Sequence, residues 1–170
     1  GMLSIRKGIH LLLHAWNRLN LPLLKTKLIL VGELQKDLKK VISNIPVKDN
    51  VSFVGSVNRS ILKNLYQQST LFILPSIEDG FGMVVGEAMA SSLPVICSNK
   101  AGVSEILRDG FDGFVINPHN IKSICEKIEW FYKNREQGFL IGQQGQRTIQ
   151  QYTWQHYGNN VCKIYQDILK

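Results

Sequence analysis

Short apolar runs alternate with segments of helical periodicity along most of this chain. The runs are apolar almost throughout, not only at every second residue, and they fall at residues 27–32, 51–55, 71–74, 94–97 and 113–116. Such runs are typical of strands in a parallel sheet that is covered on both faces. The helical segments between them supply the crossover connections that parallel strands require. The sequence therefore predicts an α/β fold with a doubly wound, Rossmann-like parallel sheet and helices on both faces.

The helices are predicted from apolar residues spaced three and four apart. They cover residues 8–19, 33–43, a stretch through Ile61 and Tyr66, 82–91, 121–132, 136–151 and 153–169. The last helix carries an apolar stripe that is typical of a packing or interface surface. The members of this stripe are Trp154, Tyr157, Val161, Ile164, Tyr165 and Ile168. At 170 residues the chain is predicted to form a single domain, 1–170, with its own core.

A glycine loop joins the strand at 71–74 to the helix at 82–91. Gly80 and Gly82 let the backbone approach a ligand closely, and the first turn of the helix offers unpaired N–H groups to an anion. Asp79 lies at the start of this loop, and Glu87 lies about two helical turns after it. A phosphate site flanked by two acids suits a polyhydroxylated phosphate ester. From these residues alone, a plain turn at Asp79 and a solvated helix face at Glu87 remain equally open.

The same stretch resembles a family motif. The segments concerned are Pro75-Ser76, Asp79-Gly80-Phe81-Gly82, Glu87-Ala88-Met89-Ala90 and Leu93-Pro94-Val95-Ile96. Together they are similar to the central motif of the retaining family-4 glycosyltransferases, in which an acid is followed by seven residues and a Glu. The first acid is usually Glu in that family, whereas this chain has the shorter Asp79. Further similar pieces are Arg6-Lys7-Gly8, Leu30-Val31-Gly32, Val51-Ser52-Phe53-Val54-Gly55, Asp112-Gly113-Phe114-Val115 and Tyr152-Thr153-Trp154.

The resemblance implies the GT-B fold, of which this chain is the C-terminal domain that binds a nucleotide diphosphate sugar. Its implied catalytic residues are Asp79, Lys7 and Arg6, and its implied donor-binding residues are Gly55, Val57, Gly80, Phe81, Gly82, Met83, Val84 and Glu87. Lys7 is expected to bind the donor phosphates, with Arg6 in place of the family's usual Arg near Met2. Glu87 is expected to bind the ribose hydroxyls, while Gly55 and Val57 border the nucleobase. Taken without the resemblance, Arg6 and Lys7 are an ordinary exposed basic pair, and Gly55 ends a strand.

The implied reaction moves a hexose from the donor to a hydroxyl acceptor with retention of configuration. In this front-face substitution the leaving diphosphate takes the acceptor proton, so no metal and no other cofactor is expected. The acceptor is expected to be a polysaccharide or a lipid-linked glycan, held by an N-terminal domain outside this chain. The first residues resemble a loop that follows a strand, which predicts a chain cut from a larger protein. By itself the chain is expected to bind nucleotide without transferring sugar.

Three other functions are alternatives to a glycosyltransferase. A nucleotide-sugar epimerase shares the GT-B fold but is less similar in the Gly-Phe-Gly motif and its spaced acids. In a non-catalytic nucleotide-binding module, Asp79 would stand where an earlier enzyme had its catalytic Glu. An Asp79→Glu variant of the full-length protein distinguishes the two: a gain in turnover indicates an enzyme, and no turnover with either residue indicates a binding module. A Rossmann dehydrogenase is disfavoured, because the first strand is not followed by Gly-x-Gly-x-x-Gly.

The formal charge of +7 and the pI near 9.4 make nucleic acid a candidate partner. The basic residues, however, are spread over the chain and are not interleaved with aromatic residues, which argues against a stacking platform for bases. The same positive charge favours an anionic donor and a peripheral contact with an anionic membrane. No partner among nucleic acids is therefore expected.

Composition places the chain among globular proteins, with 44% hydrophobic and 19% charged residues. Its apolar runs are much shorter than the roughly 20 residues of a membrane-spanning helix, and residues 1–7 lack the pattern of a signal peptide. The three cysteines form no Cys-x-x-Cys pair, and His10 and His14 have no third ligand nearby. These observations favour a cytoplasmic protein without a metal site, peripheral to the inner face of a membrane at most.

Overall fold

The computed structural model describes residues 1–22 and 25–169. Its strands are β1 (Met2–Leu3), β2 (Leu28–Val31), β3 (Glu33–Leu34), β4 (Val51–Gly55), β5 (Phe72–Leu74), β6 (Val95–Ser98) and β7 (Phe114–Ile116). Its α-helices are α1 (Ile9–Arg18), α2 (Lys36–Ile42), α3 (Arg59–Gln68), α4 (Met83–Ala90), α5 (Ile121–Lys133), α6 (Arg135–Ile149) and α7 (Trp154–Ile168), and a 3₁₀-helix covers Gly102–Ile106. The predicted α/β class, with strands and helices alternating before a helical C-terminal part, is confirmed.

The strands pair in parallel in three groups, β1 with β3, β2 with β4, and β5 with β6 and β7. The N-terminal segment connects these groups. Leu3 pairs with Leu34 in β3, and the Arg6 carbonyl accepts a hydrogen bond from the Ile77 N–H, just after β5, at 2.8 Å. In the described residues the three groups do not form one continuous ladder, and β1 has two residues.

The helix predicted at residues 33–43 begins later than expected. Glu33 and Leu34 form strand β3, and α2 starts at Lys36. The Glu33 N–H donates to the Gly1 carbonyl at 3.2 Å, and the Gln35 N–H donates to the Leu3 carbonyl at 3.0 Å. The prediction was wrong here because pairing with the N-terminal segment holds the backbone extended. Local periodicity cannot predict a contact with a segment that is distant in sequence.

Strand β6 lies at the centre of the core. Ile96 belongs to a cluster with residues of α1 and α5, whereas Val95 and Cys97 belong to a second cluster with residues of α4, and all three are 0% exposed. Successive side chains of a strand point to opposite faces, so β6 is covered on both. On β2 and β4, by contrast, Ile29 and Val54 are 36% and 46% exposed, and the predicted two-sided cover was wrong for these strands.

A buried carboxylate fastens helix α6 to the loop before β7. Asp112, which is fully buried, accepts hydrogen bonds from the Arg108 N–H at 2.7 Å, from Arg108 Nε at 2.9 Å and from Thr148 Oγ1 at 2.8 Å. A buried charge is tolerated when it is paired and its oxygens are hydrogen-bonded, as here. Because Thr148 lies in α6, this contact holds that helix against the loop before β7.

Helix α7 contributes no buried residue. The apolar stripe, which the sequence predicts as a packing or interface surface, is largely exposed, and its most exposed members are Trp154, Ile168, Tyr157, Tyr165 and Ile164. None of the described helices combines the length and the apolar character that a membrane crossing demands.

Candidate functional site

The glycine loop, residues 79–82, lies between β5 and α4, where the sequence placed it. Gly82 is the residue before the helix and has a left-handed backbone with φ of 83°, a conformation that favours glycine. Met83 and Val84 are the first two residues of α4, so their N–H groups have no carbonyl partner within the helix. Phe81 and Met83 are exposed at 39% and 52% beside the loop. The predicted anion-binding geometry is therefore available at this helix start.

A second segment, residues 100–103, supports the glycine loop along its length. The Asp79 N–H donates to the Lys100 carbonyl at 3.0 Å, the Gly102 N–H donates to the Gly80 carbonyl at 3.2 Å, and the Val103 N–H donates to the Phe81 carbonyl at 2.7 Å. A Cβ atom at Gly102 would overlap the Gly80 carbonyl oxygen. The sequence offered no chemistry for this segment, and the structure assigns it the support of the loop.

Lys7 and Asp79, which are 72 residues apart in sequence, form an ion pair. Lys7 lies just before α1, and Asp79 is the first residue of the glycine loop. Their side chains are 22% and 12% exposed, so water screens this pair less than a pair on the open surface. The structure thus brings a cation and a carboxylate together at the loop, as expected if both serve one ligand.

Arg6 occupies a different position from Lys7. Its carbonyl accepts the Ile77 N–H, but its side chain is exposed and forms no ion pair with any residue of the described parts of the chain. The backbone of Arg6 therefore helps to hold the N-terminal segment against the loop after β5. The role of its guanidinium stays a prediction.

Glu87 is exposed on α4, and its Oε2 accepts a hydrogen bond from the Tyr66 hydroxyl at 3.1 Å. Tyr66 lies in α3 and is 9% exposed. Burial and the nearby Glu87 carboxylate raise the pKa of Tyr66 above its ordinary value, so the hydroxyl stays protonated and acts as the donor. The spacing of Tyr66 predicts only an apolar helix residue, because spacing carries no signal for a contact made through the hydroxyl.

An open pocket lies at the carboxyl ends of β2 and β4, with a volume of about 590 Å³. Its lining residues are Gly32, Glu33, Leu34, Lys39, Phe53, Gly55 and Ser56. Ligand sites of α/β sheets form at this end of the strands, and the volume lies within the usual range of small-molecule pockets. Gly55, predicted to border a nucleobase, therefore lies at a cavity, and Glu33 and Lys39 are polar lining residues that the sequence analysis did not single out.

The histidines give no metal centre in the described residues, where no group of three or more His, Cys, Asp or Glu side chains is arranged to hold an ion. His10 is half-buried on α1. Burial, followed by the neighbouring His14 and His119, lowers the pKa of His10 and favours its neutral form.

Comparison with known proteins places these features in a family. The family model described as glycosyl transferases group 1 matches residues 1–148. A glycosyltransferase of Methanocaldococcus jannaschii is 30% identical over 171 residues, which cover 99% of this chain and 47% of that protein. This chain therefore spans about half the length of that relative.

Two solved structures share the fold. The Anabaena HepE protein, crystallised with UDP and glucose, has a TM-score of 0.78 and 24% identity over 89% of this chain and 42% of its own. Sucrose-phosphate synthase from Thermosynechococcus elongatus has a TM-score of 0.82 and 22% identity over 98% of this chain and 43% of its own. Identities this low show the architecture alone, that of a GT-B glycosyltransferase domain. The family match covers most of the residues, from β1 to α6, and the chain belongs to the group 1 glycosyltransferases.

Proposed function

We propose that this chain is the C-terminal, donor-binding domain of a retaining glycosyltransferase that transfers a hexose from a nucleotide diphosphate sugar to a hydroxyl acceptor. The observation that carries the proposal is the meeting of Lys7 and Asp79 at the glycine loop, where α4 begins. A cation and free N–H groups suit a diphosphate, and a carboxylate beside them suits sugar hydroxyls. The family match supports the same class of donor.

In the proposed reaction the diphosphate leaves from the face on which the acceptor hydroxyl attacks, and it takes the acceptor proton. Negative charge then grows on the phosphate oxygens. Lys7, Arg6 and the N–H groups of Gly82, Met83 and Val84 stabilise that charge more in the transition state than in the ground state, which is what accelerates a reaction. These groups take the place that a metal ion fills in other transferases, so the proposal needs no cofactor.

The carboxylates hold the uncharged parts of the donor. Asp79 orients the sugar hydroxyls or steadies positive charge at the anomeric carbon, and Glu87 binds the ribose hydroxyls. The nucleobase lies by Gly55 and Val57, next to the pocket at the ends of β2 and β4. The acceptor, a polysaccharide or a lipid-linked glycan, binds to a domain outside this chain, in a cytoplasmic protein that touches the membrane at its surface.

The first experiment is a calorimetric titration of the chain with UDP, GDP and ADP. Binding of one diphosphate is expected, because the loop, the helix start and Lys7 lie together in this chain. Lys7→Ala and Glu87→Ala are each expected to weaken that binding about tenfold, the loss typical of one charge-assisted hydrogen bond. Transfer of sugar by the chain alone is not expected, since the acceptor is proposed to bind outside it.

The control is Lys122→Ala, which removes an equally charged side chain that is 85% exposed on α5 and is paired with Glu126 at 3.7 Å. It should leave the affinity unchanged. If no diphosphate binds at about millimolar concentration, or if the Lys7 and Glu87 variants bind as well as the control, the proposed donor site is wrong.

A further inference from the structure

The hydroxyl of Tyr66 connects the core of the molecule to the candidate donor site. The Tyr66 ring packs edge-on against Phe72, with 5.8 Å between the ring centroids, and belongs to the same apolar cluster as Val85 and Ala88 of α4. Its hydroxyl reaches out of this cluster and donates to Glu87 Oε2 at 3.1 Å. A hydrogen bond therefore joins the buried Tyr66 side chain to the carboxylate of the exposed Glu87.

In this hydrogen bond the Tyr66 hydroxyl is the donor and the Glu87 carboxylate is the acceptor. Burial and the Glu87 carboxylate both raise the pKa of Tyr66, which keeps its proton available to Glu87. Breaking the bond would leave a hydroxyl at the edge of an apolar cluster without its protein partner, which is unfavourable. The contact is therefore favoured over an unpaired arrangement.

Glu87 needs such a contact because nothing else in the described chain orients its carboxylate. The side chain is exposed, has three rotatable bonds, and forms no ion pair within the described residues. A carboxylate offers about four lone-pair positions, and the Tyr66 bond occupies one of them. The others remain free to accept hydrogen bonds from a pair of neighbouring hydroxyls on a ligand.

We propose that Tyr66 is a positioning residue for ribose recognition, in which its hydroxyl holds the Glu87 carboxylate in the orientation that accepts the 2′ and 3′ hydroxyls of the donor nucleotide. This inference rests on the proposed function, because it takes Glu87 to be the ribose-binding group. Tyr66 does not touch the nucleotide. It lowers the cost of ordering Glu87 before the ligand arrives, which is the general benefit of preorganisation.

The test compares the affinity for a ribonucleotide with that for its 2′-deoxy form. Substitution of a residue with a purely structural role would not change the ratio of these two affinities. The chain is titrated with UDP, GDP and ADP and with the 2′-deoxy form of each, and the ratio of the deoxy to the ribo dissociation constant is taken. In the unmodified chain a ratio of about ten is expected, the value of one hydrogen bond to a charged group. In Tyr66→Phe the ratio should fall below about three, because the ribo form, which offers both hydroxyls to Glu87, loses more affinity than the deoxy form.

Two further variants make the result decisive. Tyr152→Phe removes the hydroxyl of an exposed tyrosine between α6 and α7 and should keep the unmodified ratio. Glu87→Ala should bring the ratio close to one, and adding Tyr66→Phe to it should change nothing more, because the two residues act through one contact. Tyr66→Phe retains the ring and its contact with Phe72, so its fold is expected to persist, and circular dichroism checks this.

Each outcome decides the inference. A Tyr66→Phe variant that keeps the full ratio, or that weakens ribo and deoxy binding equally, overturns the positioning role and leaves the proposed function standing. An unmodified chain that binds no diphosphate, or that binds the ribo and deoxy forms alike, overturns the ribose role of Glu87 itself, and the inference about Tyr66 falls with it.

Discussion

The ion pair between Lys7 and Asp79 determines the local charge at the proposed diphosphate site. The Asp79 carboxylate neutralises Lys7 and lies beside the start of α4, where the phosphates are proposed to bind. A phosphate must therefore share Lys7 with Asp79 and lie near a like charge. Both effects act in a partly buried place, where salt screens them less than on the surface.

Asp79→Asn is expected to raise the affinity for a nucleoside diphosphate about threefold to tenfold. The substitution keeps the size of the side chain but removes its negative charge, so Lys7 is free to pair with phosphate and one repulsion is lost. Isothermal titration with UDP, GDP or ADP, whichever binds, measures the change. The same gain should be seen with inorganic pyrophosphate, which has no sugar or base.

Glu78→Gln is the matched control for this variant. Glu78 is the preceding acid, it is exposed, and it forms no ion pair within the described residues. It should change the affinity by less than about twofold, as expected for a solvated charge. An Asp79→Asn variant that binds more weakly than the unmodified chain would show that Asp79 contacts the ligand favourably and is not a competitor for Lys7.

At the scale of elements, the glycine loop depends on the segment at residues 100–103 as much as on its own sequence. Four backbone hydrogen bonds between the two stretches, two of them donated by the Gly102 N–H, fix the path of the loop before α4 begins. Gly102 permits this close approach, since any Cβ there would overlap a backbone oxygen that cannot rotate away. The loop and its support therefore act as one element.

Gly102→Ala is expected to destabilise the fold by about 1–3 kcal/mol and to weaken nucleotide binding, because the added methyl group pushes the support away from the loop. Thermal unfolding and titration with the same diphosphate measure the two effects. Gly158→Ala is the control: a Cβ at Gly158 meets no atom within 4 Å, and alanine is favoured over glycine inside a helix such as α7 by roughly 1 kcal/mol. Equal stability in the two variants would contradict the close-approach argument.

At the scale of the whole molecule, the packed body ends with α6. Asp112 joins that helix to the loop before β7, and Ile141 of α6 is part of the core, whereas α7 has no buried residue. Most of the stabilising burial of apolar surface is therefore complete before Trp154. Helix α7 adds exposed apolar surface instead of a core contact.

A chain that ends at Gln151 is expected to unfold within about 2 °C of the chain of residues 1–170, because the removed residues bury little surface. Differential scanning calorimetry makes the comparison. Thr148→Val is the contrasting variant, since it removes a donor to the buried Asp112 carboxylate and should lower the midpoint by several degrees, or about 1–2 kcal/mol. A truncated chain that loses more stability than Thr148→Val would show that α7 packs on the body in solution.

The order and type of most elements, and the position of the glycine loop, were determined by the sequence itself. Apolar runs and helical spacing are local patterns, and Gly82 lies where a left-handed residue must precede α4. The same local patterns wrongly extended a helix over Glu33 and Leu34, because the partner strand that holds them is distant in sequence.

Only the tertiary structure decided which side chains meet. Lys7 reaches Asp79 across 72 residues, and Tyr66 reaches Glu87 across 21. The resemblance to a family singled out Lys7, Asp79 and Glu87 one by one, but it contained neither contact and did not single out Tyr66. The physical reason is that a hydrogen bond or an ion pair depends on where folding brings the ends of two side chains, whereas periodicity records only which face of its own helix or strand a residue occupies.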